Sequence, residues 1–105
     1  MTVLEKDIEA KLVKLVKATG GLCLKWVCPG WAGVPDRIVL LPGGRVVFVE
    51  LKRPKGGKIG SRQMWWHIKL ATLGFQHYFI HNNEELGVFE RLALHEPTGS
   101  REVVK

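Results

Sequence analysis

Apolar residues recur at helical spacing near the start of the chain. Between residues 3 and 19 they fall three or four positions apart, at Leu4, Ile8, Leu12, Leu15 and Val16. This spacing predicts an amphipathic helix that ends at Gly20-Gly21. A second helix is predicted from Ser61, which can cap it, to about Leu73, where Gly74 closes it.

Four short apolar runs have the composition of β-strands. They are residues 22–27, Arg37–Leu41, Arg45–Leu51 and Gln76–Ile80. Pro42-Gly43-Gly44 between the second and third runs is a hairpin signal, and a short helix is expected from Glu84. The order of helix, three strands with a central hairpin, helix and strand predicts an α/β fold with a mixed sheet flanked by helices.

The length of 105 residues fits one domain, predicted at residues 1–94, with a loose tail at residues 95–105. Charged residues interrupt the first twenty positions, so a signal peptide is not expected. The longest aliphatic or aromatic runs have four residues, too few to cross a bilayer. We expect a soluble protein without a membrane partner, in the cytoplasm of a bacterial cell or phage-infected host. Cys23 and Cys28 are expected to be reduced thiols.

The hairpin brings acidic residues together. If Pro42-Gly43-Gly44 is a three-residue loop, Asp36 lies opposite Glu50, with Cβ atoms about 4.5–5.5 Å apart. Strand alternation places Lys52 on the same face as Glu50. A two-residue loop would shift the register by one and place Leu51 opposite Asp36 instead.

Two directly opposed carboxylates are destabilising unless something offsets their repulsion, and a bound cation would offset it. Carboxylate oxygens suit Mg²⁺, which can hold a phosphate and activate water, and a lysine beside it can stabilise developing charge. The alternative is a structural ion pair or a solvated strand edge. Glu50 ends an apolar run, where a charge is costly unless it is paired or ligated.

The segments Gly33-Val34-Pro35-Asp36 and Val49-Glu50-Leu51-Lys52 resemble the PD-(D/E)XK nuclease superfamily, and most closely its VRR-NUC branch. The resemblance extends over roughly residues 5–80. It implies a restriction-endonuclease-like core and Mg²⁺-dependent endonuclease cleavage of DNA, with Mn²⁺ as a substitute. It also implies a homodimer that acts on branched or Holliday-junction DNA.

The resemblance further implies roles for individual residues. Asp36 and Glu50 would be metal ligands together with the backbone carbonyl of Leu51. Lys52 would be the base that orients water, and Gln63 would brace the site from the first turn of the second helix.

In this family a glutamate of the first helix also reaches the metal or its waters, and Glu5 and Glu9 compete for that role. They lie one turn apart on one helix face. Thr2-x-x-Glu5 is a capping-box pattern, which would give Glu5 a structural task. We therefore favour Glu9 as the catalytic and metal-binding glutamate.

The formal net charge is +6, and no acidic residue lies between Glu50 and Glu84. Basic side chains in this interval favour sequence-independent contact with phosphates. For the basic residues, the alternative is a flexible loop that is merely solvated. For the tryptophans, the alternative is packing in the core or in a dimer interface. The predicted DNA-binding residues are Arg53, Lys55, Lys58, Arg62 and Trp31.

Other functions compete with the structure-selective DNA nuclease. A non-catalytic nucleic-acid-binding module could keep the same fold and basic loop, although the intact Asp36, Glu50 and Lys52 argue against it. An RNase or a sequence-specific enzyme ranks third, because base readout needs groove-reading elements for which a short chain has little room.

Overall fold

A computed structural model describes residues 4–95, in which helices pack on a four-stranded sheet. The elements are α1 (Glu5–Ala18), β1 (Leu22–Lys25), β2 (Arg37–Leu41), β3 (Arg45–Leu51), α2 (Ser61–Thr72), β4 (Gln76–Ile80), α3 (Asn83–Phe89) and a π-helical turn (Glu90–Leu94). Every predicted helix and strand is present. β1 ends two residues before its predicted end, and α3 begins one residue before Glu84. Most of the predicted tail, residues 96–105, lies outside the described residues.

The strands are ordered β1-β2-β3-β4 across the sheet. The first three are antiparallel neighbours, and β4 runs parallel to β3. A parallel pair needs a long crossover connection, which α2 provides here. The expected α/β fold with a mixed sheet and flanking helices is confirmed. No helix in the described part of the chain is long and apolar enough to cross a membrane.

The β2–β3 hairpin has the register that a three-residue loop gives. Leu41 pairs with Arg45, and Arg37 pairs with Val49 at the other end. Gly43 and Gly44 have φ angles of 85° and 76°, a left-handed conformation that glycine adopts without strain. The Leu41–Arg45 pair excludes the two-residue alternative, and the same register, continued one position past Arg37 and Val49, sets Asp36 opposite Glu50.

One face of the sheet carries the main core. Val39, Val47 and Val49 are fully or almost fully buried there. They pack with three residues of α1 and two of α3, namely Ile8, Leu12, Val16, Leu86 and Phe89. Because side chains alternate along a strand, this packing turns Phe48, Glu50 and Lys52 to the opposite face.

The opposite face is only partly covered by protein. α2 packs against β4, where His67 and His77 place their Nδ1 atoms 2.8 Å apart beside Phe79. Burial and the neighbouring His67 lower the pKa of His77 to about 4. His77 is therefore neutral near pH 7, and the hydrogen bond between the two rings joins α2 to the sheet.

The part of this face formed by β1 and β2 stays open. Leu22, Leu24 and Leu40 are 58%, 45% and 37% exposed. Leu22 pairs with Leu40, and Leu24 pairs with Ile38, so these side chains share one face. The result is an uncharged apolar surface, defined by these four residues and called the open leucine face below.

Candidate active site

Asp36 is positioned by the loop that precedes β2. The loop is tied to α2, because Trp66 Nε1 donates to the Ala32 carbonyl over 3.0 Å. Gly33 lies against Arg62 so closely that a Cβ atom at Gly33 would be 2.3 Å from Arg62 Cγ and 2.8 Å from its Cβ. Gly33 also has a φ of 77°, so both backbone conformation and space require glycine here. The loop thus delivers Asp36 to a defined place.

The Asp36 carboxylate is fixed against the end of β3. Its Oδ2 accepts a hydrogen bond of 2.8 Å from the Leu51 backbone N–H. Partial burial raises the pKa of Asp36, and the Leu51 N–H opposes the shift. The N–H and C=O of one strand residue point to the same side of the strand, so the Leu51 carbonyl faces the side of Asp36. The assignment of this carbonyl as a metal ligand stays a prediction.

Glu50 is the buried member of the pair, with 4% of its surface exposed. Its Oε2 accepts a 2.8 Å hydrogen bond from Gln63 Nε2 and lies 3.9 Å from Lys52 Nζ. Its Oε1 is buried and has no hydrogen-bond partner within residues 4–95. Burial first, and Asp36 second, raise the pKa of Glu50 to about 7. With a pKa of about 7 the carboxyl is partly protonated at neutral pH, and Oε1 is the oxygen open to a proton or a cation, one of which a buried carboxylate needs.

Gln63 joins the acid to the lysine. Its Oε1 accepts hydrogen bonds from Lys52 Nζ at 2.5 Å and from the Gly60 N–H at 2.9 Å. With its oxygen facing two donors, its amide nitrogen is left to donate to Glu50. Gln63 lies in the first turn of α2, as predicted, and it fixes the orientation of both Glu50 and Lys52.

The two glutamates of α1 have different surroundings. Glu9 Oε2 forms an ion pair with Arg37, at 3.0 Å from Nε and 2.9 Å from Nη2. Glu5 makes no ion pair within residues 4–95. Both line, with Asp36, a cleft of about 250 Å³. Their charges reach the site, since Glu9 contributes to the raised pKa of Asp36 and Glu5 to that of Glu50.

The expected capping role of Glu5 is not found at the described helix start. The Leu4 N–H donates to Asp7 Oδ2 over 3.2 Å, and Thr2 lies outside the described residues. Asp7 therefore caps this end, and the reason for setting Glu5 aside is removed. The assignment of Glu9 as metal ligand stays a prediction.

Few side chains in the described part of the chain are placed to bind a metal ion. No group of three or more His, Cys, Asp or Glu side chains placed to hold a metal occurs within residues 4–95. Asp36, Glu50 and the Leu51 carbonyl nevertheless fit Mg²⁺, which is commonly held by one or two carboxylates and keeps several waters. The partnerless Glu50 Oε1 is the observation that favours a cation here.

All the predicted DNA-binding side chains are exposed. Lys52 begins the basic segment at the site itself, and Arg62 stands one residue before Gln63 in α2. Trp31 is 58% exposed and packs edge-on against Trp66, with ring centroids 5.8 Å apart. The exposed set is Arg53, Lys55, Lys58, Arg62 and Trp31. The cations therefore lie on one continuous stretch of the chain, residues 52–62, that begins at the site.

Comparisons with known proteins identify the family. No family model matches the sequence. The chain is 47% identical over 72 residues to "Putative nuclease p44" of Acyrthosiphon pisum secondary endosymbiont phage 1, across 69% of this chain and 76% of that protein. A solved structure described as a VRR_NUC domain is 25% identical and superposes with a TM-score of 0.78, over 85% of this chain and 96% of that one. The chain belongs to the VRR-NUC family of nucleases. The suspected relationship and the restriction-endonuclease-like fold are thus confirmed.

Sequence reasoning missed three contacts that organise this VRR-NUC domain. They are the Trp66–Ala32 hydrogen bond, the close packing of Gly33 on Arg62 and the Glu9–Arg37 ion pair. The only signal in the sequence was the adjacent Trp65-Trp66, since one of two neighbouring helix residues is expected to be buried. Trp66 is the more buried of the two, and it is the one that anchors the loop.

Gly33→Ala is expected to lower the nuclease activity of this VRR-NUC domain by about tenfold to a hundredfold, because a small displacement of a catalytic group has effects of that size. The new Cβ would push the loop away from Arg62 and move Asp36. Gly30→Ala is the matched control, since Gly30 has a φ of 87° but nothing within 4 Å of the added atom. Both variants should lose about 1–2 kcal/mol of stability to backbone strain. Equal activities of the two variants would contradict the positioning role.

Glu50→Gln is expected to stabilise the metal-free protein at pH 8. The pKa of Glu50 rises from 4.5 to about 7 on folding. Protonated Glu50 therefore contributes its full stabilisation of the folded state below pH 4.5, and this stabilisation is lost as pH rises through 7. Glutamine stays neutral and can still accept from Gln63. The gain should be about 1–3 kcal/mol at pH 8 and disappear near pH 4.5, measured by urea unfolding in EDTA.

The exposed Glu84→Gln provides the control for that measurement and should not be more stable than the native protein at pH 8. A Glu50→Gln variant that is less stable than the native protein at pH 8 would contradict the assignment of Glu50 as a strained buried acid.

Proposed function

We propose that this VRR-NUC domain is a Mg²⁺-dependent DNA endonuclease, with Mn²⁺ able to substitute for Mg²⁺. The main support is the buried Oε1 of Glu50, which lies near Asp36 and has no hydrogen-bond partner within residues 4–95. A protein retains such a strained acid where function uses it, and perturbed carboxyl groups concentrate at catalytic sites. The phage nuclease relative supports the same activity and a place in the cytoplasm of a bacterium or phage-infected host.

Asp36, Glu50 and the Leu51 carbonyl would hold the cation, with Glu9 or Glu5 reaching its waters from α1. When bound, the cation would polarise the scissile phosphate and make a coordinated water more acidic. Asp36 and Glu50 supply the negative charge that keeps it in place. Burial of Glu50 excludes bulk water from one side of the site, which strengthens these interactions.

Lys52 would act on the attacking water and on the phosphate. Gln63 and Glu50 hold its Nζ in place, so its position is fixed before DNA binds. A preorganised ammonium can orient the water and stabilise charge that develops on the phosphate oxygens. Gln63 would support this role by positioning both Lys52 and Glu50.

The exposed basic segment would bind the DNA backbone. Cations at Arg53, Lys55, Lys58 and Arg62 can neutralise phosphates without reading bases, so binding should weaken as salt concentration rises. This arrangement favours recognition of DNA shape over DNA sequence. We infer a branched substrate, such as a Holliday junction, in which strands diverge at the cleavage point.

The nuclease proposal is tested with labelled four-way junction, flap, single-stranded and duplex DNA in Mg²⁺, Mn²⁺ or EDTA. Glu50→Gln and Lys52→Met should each lower cleavage at least about a hundredfold, the size of effect known for lost transition-state contacts, while DNA binding is kept. Glu84→Gln is the matched control and should cleave normally. A folded native protein that cuts none of these substrates would favour the non-catalytic binding module instead.

We further propose that two copies associate through the open leucine face. One chain has one site, so cutting paired strands requires a second copy, and a two-fold dimer needs a self-complementary surface. Leu22, Leu24 and Leu40 provide an apolar surface without charged side chains, which is suited to that purpose.

Leu24→Lys is expected to convert a dimer of 11.8 kDa chains into monomers, because a charge would be buried at the interface. Light scattering after gel filtration gives the mass. Leu92→Lys is the control, since Leu92 is 58% exposed on the π-helical turn, away from this face, and should leave the mass unchanged. A native protein that is monomeric at tens of micromolar would exclude the dimer.

A further inference from the structure

Trp65 is a second exposed indole beside the candidate site. It is 44% exposed and lies two residues after Gln63 in α2. With Ser61 and Arg62 it lines an open depression of about 310 Å³. Ser61 and Arg62 lie four and three positions before Trp65, so each is a neighbour of Trp65 on the helix surface. The depression therefore combines an aromatic ring, a guanidinium and a hydroxyl group at the edge of the catalytic centre.

The ring geometry leaves Trp65 available for stacking. Trp65 and Trp66 meet nearly perpendicularly, at an interplanar angle of 88° and a centroid distance of 5.2 Å. In the described part of the chain, Trp65 makes no parallel contact with another ring. Trp66 is held in turn by its hydrogen bond to Ala32, so the support beneath Trp65 is rigid. A flat ligand could stack on Trp65 without a change in the protein.

The charge around Trp65 selects the kind of ligand. Arg62 lies in the same depression, and no acidic residue occurs between Glu50 and Glu84 in the sequence. An apolar protein partner would leave Arg62 without a counter-charge. A nucleotide offers both a π-face for the indole and a phosphate for the guanidinium.

We propose that Trp65, Arg62 and Ser61 form a binding site for one unpaired nucleotide. The base stacks on Trp65, and its phosphate receives hydrogen bonds from Arg62 and Ser61. Bases inside a duplex are already stacked and paired, so the site accepts only a nucleotide that is unpaired at a branch or in a single strand. This inference rests on the proposed DNA nuclease function, and it names the structural feature of the substrate that is recognised next to the cleavage site.

Binding is measured in EDTA, so that no strand is cut, by fluorescence polarisation with labelled oligothymidylate and with a blunt duplex of equal length. Trp65→Ala is expected to weaken oligothymidylate binding about 5- to 150-fold, the effect of losing one aromatic–base stack, and to leave duplex binding unchanged. Trp65→Phe should restore most of the affinity, because phenylalanine also offers a ring face. Ile68→Ala, at a 57% exposed apolar residue in the next turn of α2, is the matched control and should bind like the native protein.

Tryptophan emission gives a second readout. Oligothymidylate should quench the native protein more strongly than Trp65→Phe, because stacking on Trp65 is a direct quenching contact and the other three tryptophans remain in both proteins.

The outcomes separate this site from the nuclease function. If Trp65→Ala weakens oligothymidylate and duplex binding equally, or weakens neither, the nucleotide site is excluded. If Trp65→Ala lowers the mass in light scattering and leaves oligothymidylate binding intact, Trp65 is a contact between copies and the proposal is overturned. Native protein that cuts no DNA but binds single strands through Trp65 would support the site and exclude the nuclease. If Trp65→Ala cleaves flap and duplex DNA in the same ratio as the native protein, the nuclease function is supported and the nucleotide site is excluded.

Discussion

The opposition of Asp36 and Glu50 across the β2–β3 hairpin is the interaction on which the rest of the site depends. Two acids in this position repel each other, and burial of Glu50 adds a desolvation cost. The protein offsets part of this cost through the backbone N–H groups of Leu51 and Asp36, and through Gln63 and Lys52. Packing of the core on the other face of β3 stabilises the strand enough to offset the remaining cost.

Helix α2 holds the two acids in a fixed relation. Its Gln63 reaches Glu50 and Lys52, and its Arg62 and Trp66 hold the loop before Asp36. The His67–His77 hydrogen bond attaches the same helix to β4. A single rigid element therefore sets the distance between Asp36 and Glu50, which come from different segments. This explains why short motifs can support a site in so small a chain.

The features that depend on short stretches of sequence, such as turns and helix starts, could be predicted from the sequence. Pro42-Gly43-Gly44 fixed the hairpin length, and the length fixed the register that places Asp36 opposite Glu50. The placement of Gln63 followed from the family resemblance and the helix start. The Glu9–Arg37 ion pair and the Trp66–Ala32 bond join residues 28 and 34 positions apart, and they depend on how the helices and loops pack. No periodicity or composition encodes such packing, so the sequence alone could not predict it.

The same packing changes the balance between Glu9 and Glu5. Arg37 is 12% exposed, and its guanidinium contacts Glu9 and the Cys23 carbonyl. If Glu9 moved to bind a cation directly, Arg37 would lose its carboxylate while still mostly buried, which is unfavourable. Glu5 has no such bond to break within residues 4–95, and its charge already acts on Glu50. A direct role for Glu9 therefore requires that the cation or the DNA compensate Arg37, whereas a water-mediated role for Glu5 requires no rearrangement.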